Sequence, residues 1–520
     1  MQRLLLALLL IPSAWFAFAW RDMPRAGEYH DDGVYYVTAQ SLATTGEYRI
    51  VSLPDQPKQT KYPPLWPAVL SLAWLAGGYP HNLPVIAFLC WLSIPVTLAL
   101  FHIFLRREGF APWPALALGT LWALNPYVQL FGTTMLTELP FLALVLAAII
   151  LLHNATPQRA LAAGALAGLA FLTRTAGIAL LPAALAWLLF RRERRQSLFF
   201  AAAMLPAILG WAAWCAANKN PAHDWLALYY TNYLGFHLQN FIWSETHLFL
   251  WKNLDGIVLG LGSYVLPNVA LSMPEKMLAQ TLAIAGIIGL TRLLRRNPRG
   301  LASLYAAFAL LAILMLAVWH FPPNERFLLP VAPLWLAGLW TEMAHLAANV
   351  RSALHHRDRS QRIVAAGFGA FVAALLLFCG WKMAETAYVL LPSTYAQEAH
   401  RLRATQPMME WMRANLPPTA RLMSEKDPML FLRTGLRGGK RFPPTAYWYR
   451  EDFTGLSQAF LDTPRFSREH GYTHLYVDDW DYARDLTPEA HRSIVDGFRR
   501  HPQLELLHES GRSRLYRVLQ

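Results

Sequence analysis

Eleven times between residues 4 and 383 the sequence runs apolar for a length suited to a membrane-embedded helix: 4–20, 84–105, 112–130, 138–153, 160–173, 176–190, 197–217, 277–293, 301–319, 327–346 and 363–383. A hydrocarbon core of about 30 Å needs about 20 such residues per helix. No water reaches backbone groups there, so each run must satisfy its own N–H and C=O groups by folding as a helix. Composition agrees: 55% of the 520 residues are hydrophobic and 15% are charged, whereas about a quarter are charged in an ordinary soluble domain. The fold class expected is a polytopic α-helical membrane protein of about eleven transmembrane helices.

Charge sets the orientation. The formal net charge of +13 does not read as a nucleic-acid footprint, because the basic residues fall in short clusters between apolar runs. With the N-terminus inside, Arg106-Arg107, Arg159, Arg191-Arg192 with Arg194-Arg195, Arg292 with Arg295-Arg296 and Arg299, and Arg351 with Arg357, Arg359 and Arg362 all face the cytoplasm. That is the positive-inside pattern. The opening "LLLALLLIPSAWFAFAW" looks like a signal peptide, but further spans follow, so it reads as an uncleaved first helix. The stretch 64–78 is too short to span and suits a helix in the outer interface. Cys90, Cys215 and Cys379 lie far apart in apolar runs and read as structural thiols.

From about residue 384 charged residues become frequent, and turn signals such as "LPPTA", "RGGK" and "FPPTA" appear. Strand-like "THLYV", "LELLHE" and "RLYRV" alternate with helical patterns at 407–416 and 488–500, which predicts a soluble α/β domain. The expected organisation is a transmembrane domain over 1–383, with a long first extracytoplasmic loop at 21–83, and an extracytoplasmic domain over 384–520. No internal repeat, low-complexity linker or glycine-rich phosphate loop is visible.

Ionisable residues recur on the predicted outer side: Glu28, Asp31, Asp32 and Lys61 in the first loop, then Glu138, Arg174 and Glu325-Arg326 at helix ends. Charges at membrane depth are costly unless they face a protein cavity or water, so one shared site at the outer leaflet is expected. Asp31 or Asp32 can serve as a helix N-cap. A carboxylate near a low-dielectric boundary can also act as a general base. Tyr35 and Tyr36 follow the acidic pair at one-turn spacing. Lys61 and Arg326 suit a phosphate, or headgroup contact at the interface. Glu138 suits either a site or the dipole of its own helix. His30, His237, His247 and His320 show no metal-ligand spacing, so no metal site is read from them. A divalent-metal requirement is left open.

The motifs "YHDDGVYY", "KYPPLWP", "NPYVQLFGTTMLTELPFLALVL", "GLAFLTRTAG" and "NERFLLPVAPLW", in this order, resemble the GT-C superfamily of membrane glycosyltransferases. The branch is that of protein O-mannosyltransferases and lipid A aminoarabinose transferases. The resemblance implies transfer of a sugar from a polyprenyl-phosphate carrier to a lipid, glycan or protein acceptor at the outer face of the membrane, in bacteria the inner membrane. It implies Asp31 as the acidic residue of the catalytic centre, with Asp32 beside it and Glu138 as the second acidic position. Lys61 and Arg326 would lie near the carrier phosphate, with Tyr35, Tyr62 and Arg174 among the substrate-binding residues. Some relatives place the basic residue directly before the two prolines; here Tyr62 intervenes. The competing class is a transporter or flippase of lipid-linked sugars, which would favour repeat symmetry and charges near the bilayer midplane. A membrane-anchored binding protein would leave the first loop unexplained.

An odd number of spans places the C-terminus opposite the N-terminus. A reporter fused after Gln520 is therefore expected to be active only outside the cytoplasm; activity of a cytoplasm-only reporter would overturn the orientation.

Overall fold

The computed structural model describes residues 2–219, 225–269, 271–355, 358–478, 480–482 and 486–519. Arg357, one of the expected cytoplasmic basic residues, lies outside the described residues, as does the reporter position Gln520. The chain divides into two compact units, each assembled from separated segments. One comprises Met1–Arg21, Ala87–Trp211 and Leu250–Thr394, and the other Asp22–Ile86, Ala212–Phe249 and Tyr395–Gln520.

The first unit is helical. Leu83–Arg107, Arg194–Ala217, Met273–Arg296 and the continuous 57-residue run Arg359–Asn415, of which Leu83–Ile86, Ala212–Ala217 and Tyr395–Asn415 belong to the second unit, are long and apolar enough to cross a membrane by length and composition. Other apolar runs form shorter helices, among them Glu138–Leu151, Thr175–Phe190 and Leu301–Ala317. The expected span 112–130 is two helices, Pro112–Ala123 and Pro126–Phe131. The break has a local cause. Asn125 precedes a proline, which disfavours the helical region, and its side chain accepts a hydrogen bond from Tyr127 N at 3.0 Å to start a new helix. Between 218 and 276, where no span was expected, Thr246–Gly262 is a helix. The helices Met273–Arg296 and Ala332–Leu354 cross closely, because a side chain at Gly289 would meet the carbonyl oxygen of Gly338 at 2.0 Å.

The second unit holds a five-stranded sheet in the order β2-β1-β3-β5-β4. Its strands are β1 Arg421–Met423, β2 Arg437–Gly439, β3 His474–Asp478, β4 Leu504–Ser510 and β5 Ser513–Val518. β1 runs parallel to β2 and β3; β3 and β4 are antiparallel to β5. Every residue of β3 is buried, as a strand covered on both faces requires. The helix Pro488–Arg499 starts at Thr487, whose side chain accepts from Ala490 N, and buries Ile494, Val495 and Phe498 on one face.

First-loop residues belong to the same core. Val34, Val37, Ile50 and Leu53 form one hydrophobic cluster with Met423, Phe460, Leu475, Val477 and Phe498. Two helices carry that loop: Asp31–Thr45, and the short Leu65–Trp74 where an interfacial helix was expected. Backbone pairing adds to the packing, Gly438 N donating to Ser52 O at 2.9 Å.

At the end of β3, Asp478 and Asp481 are both buried. Asp478 N donates to Asp481 Oδ2 at 2.8 Å, and the Arg401 guanidinium lies 3.8 Å from Asp478 and 3.6 Å from Asp481. Burial pushes both carboxyls up to about 6; Asp481 adds to the rise at Asp478, Glu425 adds to it at Asp481, and Arg401 opposes it at both. A folded-state pKa above the unfolded one stabilises most below the unfolded value and is lost as pH rises through about 6. Asp481→Asn, an amide that never ionises, should therefore melt near the unsubstituted protein at about pH 5 and increasingly above it towards about pH 7.5. Thermal unfolding followed across that range checks the sign.

Candidate functional site

The sequence-predicted residues fall in two clusters, one in each unit. In the second unit the chain turns at Gly27–His30 and enters the helix Asp31–Thr45. His30 is the residue before that helix, and both acidic residues lie in its first turn. The N-cap expectation for Asp31 or Asp32 is thus corrected: His30 occupies that position with φ 62°, and its side chain makes no capping hydrogen bond.

The two carboxylates have different surroundings. Asp32 is fully buried, and its Oδ2 accepts a 2.7 Å hydrogen bond from Gly27 N, bracing the turn. Asp31 is half-buried and accepts a hydrogen bond from the Tyr62 hydroxyl on Oδ1. Both gain from the positive end of the helix dipole.

Tyr62 and Lys61 are held by their own backbone. Gln59 Oε1 accepts from Lys61 N at 2.9 Å and Tyr62 N at 3.2 Å, while Tyr48 OH donates to Tyr62 O at 2.9 Å. Pro63-Pro64 then leads into the helix Leu65–Trp74. The Lys61 ammonium is buried over the Tyr229 ring at 3.5 Å and the Tyr62 ring at 4.8 Å, positions in which a cation is attracted by the ring face. Tyr35 packs edge-on against Tyr62, with centroids 4.7 Å apart. Tyr36 is turned away, buried and hydrogen-bonded to Asn82.

The other cluster is built around Glu138, in the first turn of Glu138–Leu151 and fully buried. Its Oε1 accepts from Arg326 Nε at 2.6 Å and also from Arg174. Arg174 additionally donates to Thr137 Oγ1 at 3.1 Å. Local structure aims both arginines. Arg174 is the extended residue between the helix Pro157–Thr173 and the 3₁₀ turn Thr175–Ala179, and Asn324 caps the turn Glu325–Leu328 by accepting from Arg326 N. Two guanidiniums on one carboxylate leave a net positive charge of one, a fit for a phosphate. A carboxylate so engaged is poorly placed to take up a proton.

Several neighbours of the first cluster were not read from the sequence. His30 Nε2 lies 2.9 Å from Asp427 Oδ1 and 3.0 Å from Tyr230 OH, Tyr230 OH donates to Asp427 Oδ1 at 2.8 Å, and Glu28 pairs with Lys426. Only the adjacency of His30 to the acidic pair hinted at this; Tyr230 and Asp427 carry no local motif. Among the described residues no group of three or more His, Cys, Asp or Glu side chains is arranged to hold a metal ion.

A family model described as dolichyl-phosphate-mannose-protein mannosyltransferase matches residues 61–218, from Lys61 through Glu138 and Arg174 but not Asp31 or Arg326. No curated protein matches by sequence. Solved structures do match. ArnT from Cupriavidus metallidurans, bound to undecaprenyl phosphate, superposes with TM-score 0.53 at 14% identity over 98% of this chain and 97% of its own. The oligosaccharyltransferase AglB from Archaeoglobus fulgidus, in complex with an inhibitory peptide and a dolichol-phosphate, gives 0.53 at 13% identity over 95% of this chain and 71% of its own. The mycobacterial arabinofuranosyltransferase AftD gives 0.50 at 17% identity over 99% of this chain, which spans 40% of that enzyme.

At such identities the likeness is one of fold, and the fold is that of the GT-C membrane glycosyltransferases. The resemblance read from the sequence motifs is thereby borne out.

Removing one partner of a buried ion pair costs about 3–5 kcal/mol. Glu138→Gln, which leaves two guanidiniums without their shared anion, should lower the melting temperature in detergent markedly. Combining it with Arg326→Met should recover part of the loss, and a double-mutant cycle on melting checks the coupling.

Proposed function

We propose that this protein is an integral membrane glycosyltransferase that moves a sugar from a polyprenyl-phosphate carrier to a lipid, glycan or protein acceptor. The reaction takes place at the outer face of the membrane, the bacterial inner membrane. Residues 1–383 carry the transferase and 384–520 form an extracytoplasmic portion. The observation that carries the reading is the difference in exposure within the acidic pair: Asp32 is buried, with Oδ2 accepting from Gly27 N, whereas Asp31 is half-buried at a helix N-terminus with Tyr62 on one oxygen.

In the reaction Asp31 accepts the proton of the acceptor hydroxyl or amine. The acceptor atom forms a bond to the anomeric carbon as the bond from that carbon to the carrier phosphate oxygen breaks. The leaving polyprenyl phosphate gains one negative charge. Arg174 and Arg326, oriented by the buried Glu138, are groups of the kind that hold a phosphate. In this assignment Glu138 positions the arginines rather than transferring protons. Lys61, held between aromatic faces, adds positive charge beside Tyr62. Tyr35 and Tyr62 supply flat apolar faces of the kind that pack against a sugar ring.

The test compares glycolipids and glycoproteins by mass spectrometry in cells with and without the intact gene, then restores variants. Asp31→Asn should reduce the gene-dependent product by at least about 10²–10⁴-fold, the usual contribution of a general base. Asp32→Asn should be milder, because an amide oxygen can still accept from Gly27 N. Arg326→Ala should weaken use of the lipid-linked donor. Near-normal product from the Asp31→Asn chain would remove Asp31 as the base.

A further inference from the structure

The helix that presents Asp31 begins with a contradiction. His30, a bulky non-glycine residue, sits at φ 62°, a backbone region that side chains other than glycine, asparagine and aspartate rarely enter and that persists only when surroundings enforce it. What enforces it here comes from the C-terminal segment. The His30 ring is buried, with Nε2 at 2.9 Å from Asp427 Oδ1 and 3.0 Å from Tyr230 OH. Its edge meets Phe442 at 5.3 Å between centroids. Tyr230 is fixed in turn by donating to Asp427 and accepting from Lys440 N at 3.1 Å.

The surrounding turn is clamped to the same helix, Asp427–Thr434. Glu28 pairs with Lys426. A side chain at Gly27 would meet Met429 Cγ at 2.1 Å, and one at Gly33 would meet Pro428 Cβ at 3.0 Å. Gly27, at φ 80°, is thus needed for this close approach, and Gly33 leaves little room for a side chain. Burial holds the His30 pKa below its ordinary value against the opposing pull of Asp427, with Lys440 and Lys61 adding to the depression. The imidazole is therefore neutral at neutral pH, and its proton belongs on Nε2, the nitrogen that faces the carboxylate.

We propose that Asp427 and His30 are a positioning pair for Asp31: Asp427 holds the His30 imidazole, the imidazole holds the left-handed backbone at residue 30, and that backbone sets where the Asp31 carboxylate stands. The C-terminal segment is then a working part of the transferase site, not an appended module. This rests on the reading of Asp31 as the base, and the positioning can be tested apart from it.

Three variants of the full-length chain separate the ideas. Asp427→Ala removes the anchor. His30→Gly removes the imidazole while leaving a residue that takes φ 62° without strain, so it folds even where Asp427→Ala does not. Asp427→Asn keeps an oxygen that accepts from Tyr230 and His30. Hydrogen exchange in detergent is the readout that needs no substrate. Amides of residues 27–36 should exchange at least about tenfold faster in Asp427→Ala and His30→Gly, with the helix Glu138–Leu151 unchanged and Asp427→Asn near the unsubstituted chain. In cells, the gene-dependent glycoconjugate should fall by about 10²-fold in the first two variants, the cost of a misplacement of about 1 Å, and recover in Asp427→Asn. Added to Asp31→Asn, neither should lower product further. Unchanged exchange at 27–36, or an additive loss on top of Asp31→Asn, overturns the positioning pair. Full product from Asp31→Asn with faster exchange in the other two overturns the base assignment alone.

Discussion

A carboxylate taken out of water must be met by a cation or by hydrogen-bond donors, or else give up its charge. This protein uses each solution in turn. Glu138 is met by two guanidiniums. Asp32 is met by the Gly27 amide, and Asp427 by the hydroxyl of Tyr230 and the ring of His30. Asp478 and Asp481 share one arginine between them, and burial holds both carboxyls above their ordinary pKa. The position of each buried acid is therefore dictated by its partners, and those partners come from distant parts of the chain.

The same requirement sorts structural from chemical roles. Asp32, with one oxygen on the Gly27 amide, braces a turn, and Glu138, with one oxygen shared by two guanidiniums, bridges them. Asp31 alone of the first-loop pair is half-buried, and that difference is what sets it apart from Asp32. Arginines held by a buried carboxylate are desolvated and aimed before any ligand arrives, so a phosphate that meets them does not have to organise them.

The first loop and the C-terminal segment share a hydrophobic cluster, a backbone hydrogen bond, an ion pair and the His30–Asp427 contact. A loop of some 60 residues would otherwise have little to order it, since loops without a partner surface carry unsatisfied conformational entropy. Ordering by a folded α/β partner gives the acidic helix a fixed start. The cost is visible at His30, where the backbone is held in a region its side chain disfavours.

Much of this was legible in order along the chain. Apolar runs separated by arginines define a helical membrane protein, and the patterns at 473–477, 504–509 and 514–518 read directly as β3, β4 and β5 because alternation and turn residues are local. The candidate site residues were found for a similar reason: charges stand out against an apolar background. What the sequence could not reveal was who meets whom. Asp31 and Asp32 are chemically identical and adjacent, and only a hydrogen bond from Gly27 and another from Tyr62 tell them apart. Glu138 reads as a candidate acid until Arg174 and Arg326, 36 and 188 residues away, close on one of its oxygens. Asp427 has no motif at all, and acquires a role only because the fold carries it 397 residues back to His30. Periodicity and composition are properties of neighbours in sequence, whereas the state of a buried charge depends on neighbours in space, and those exist only once the chain has folded.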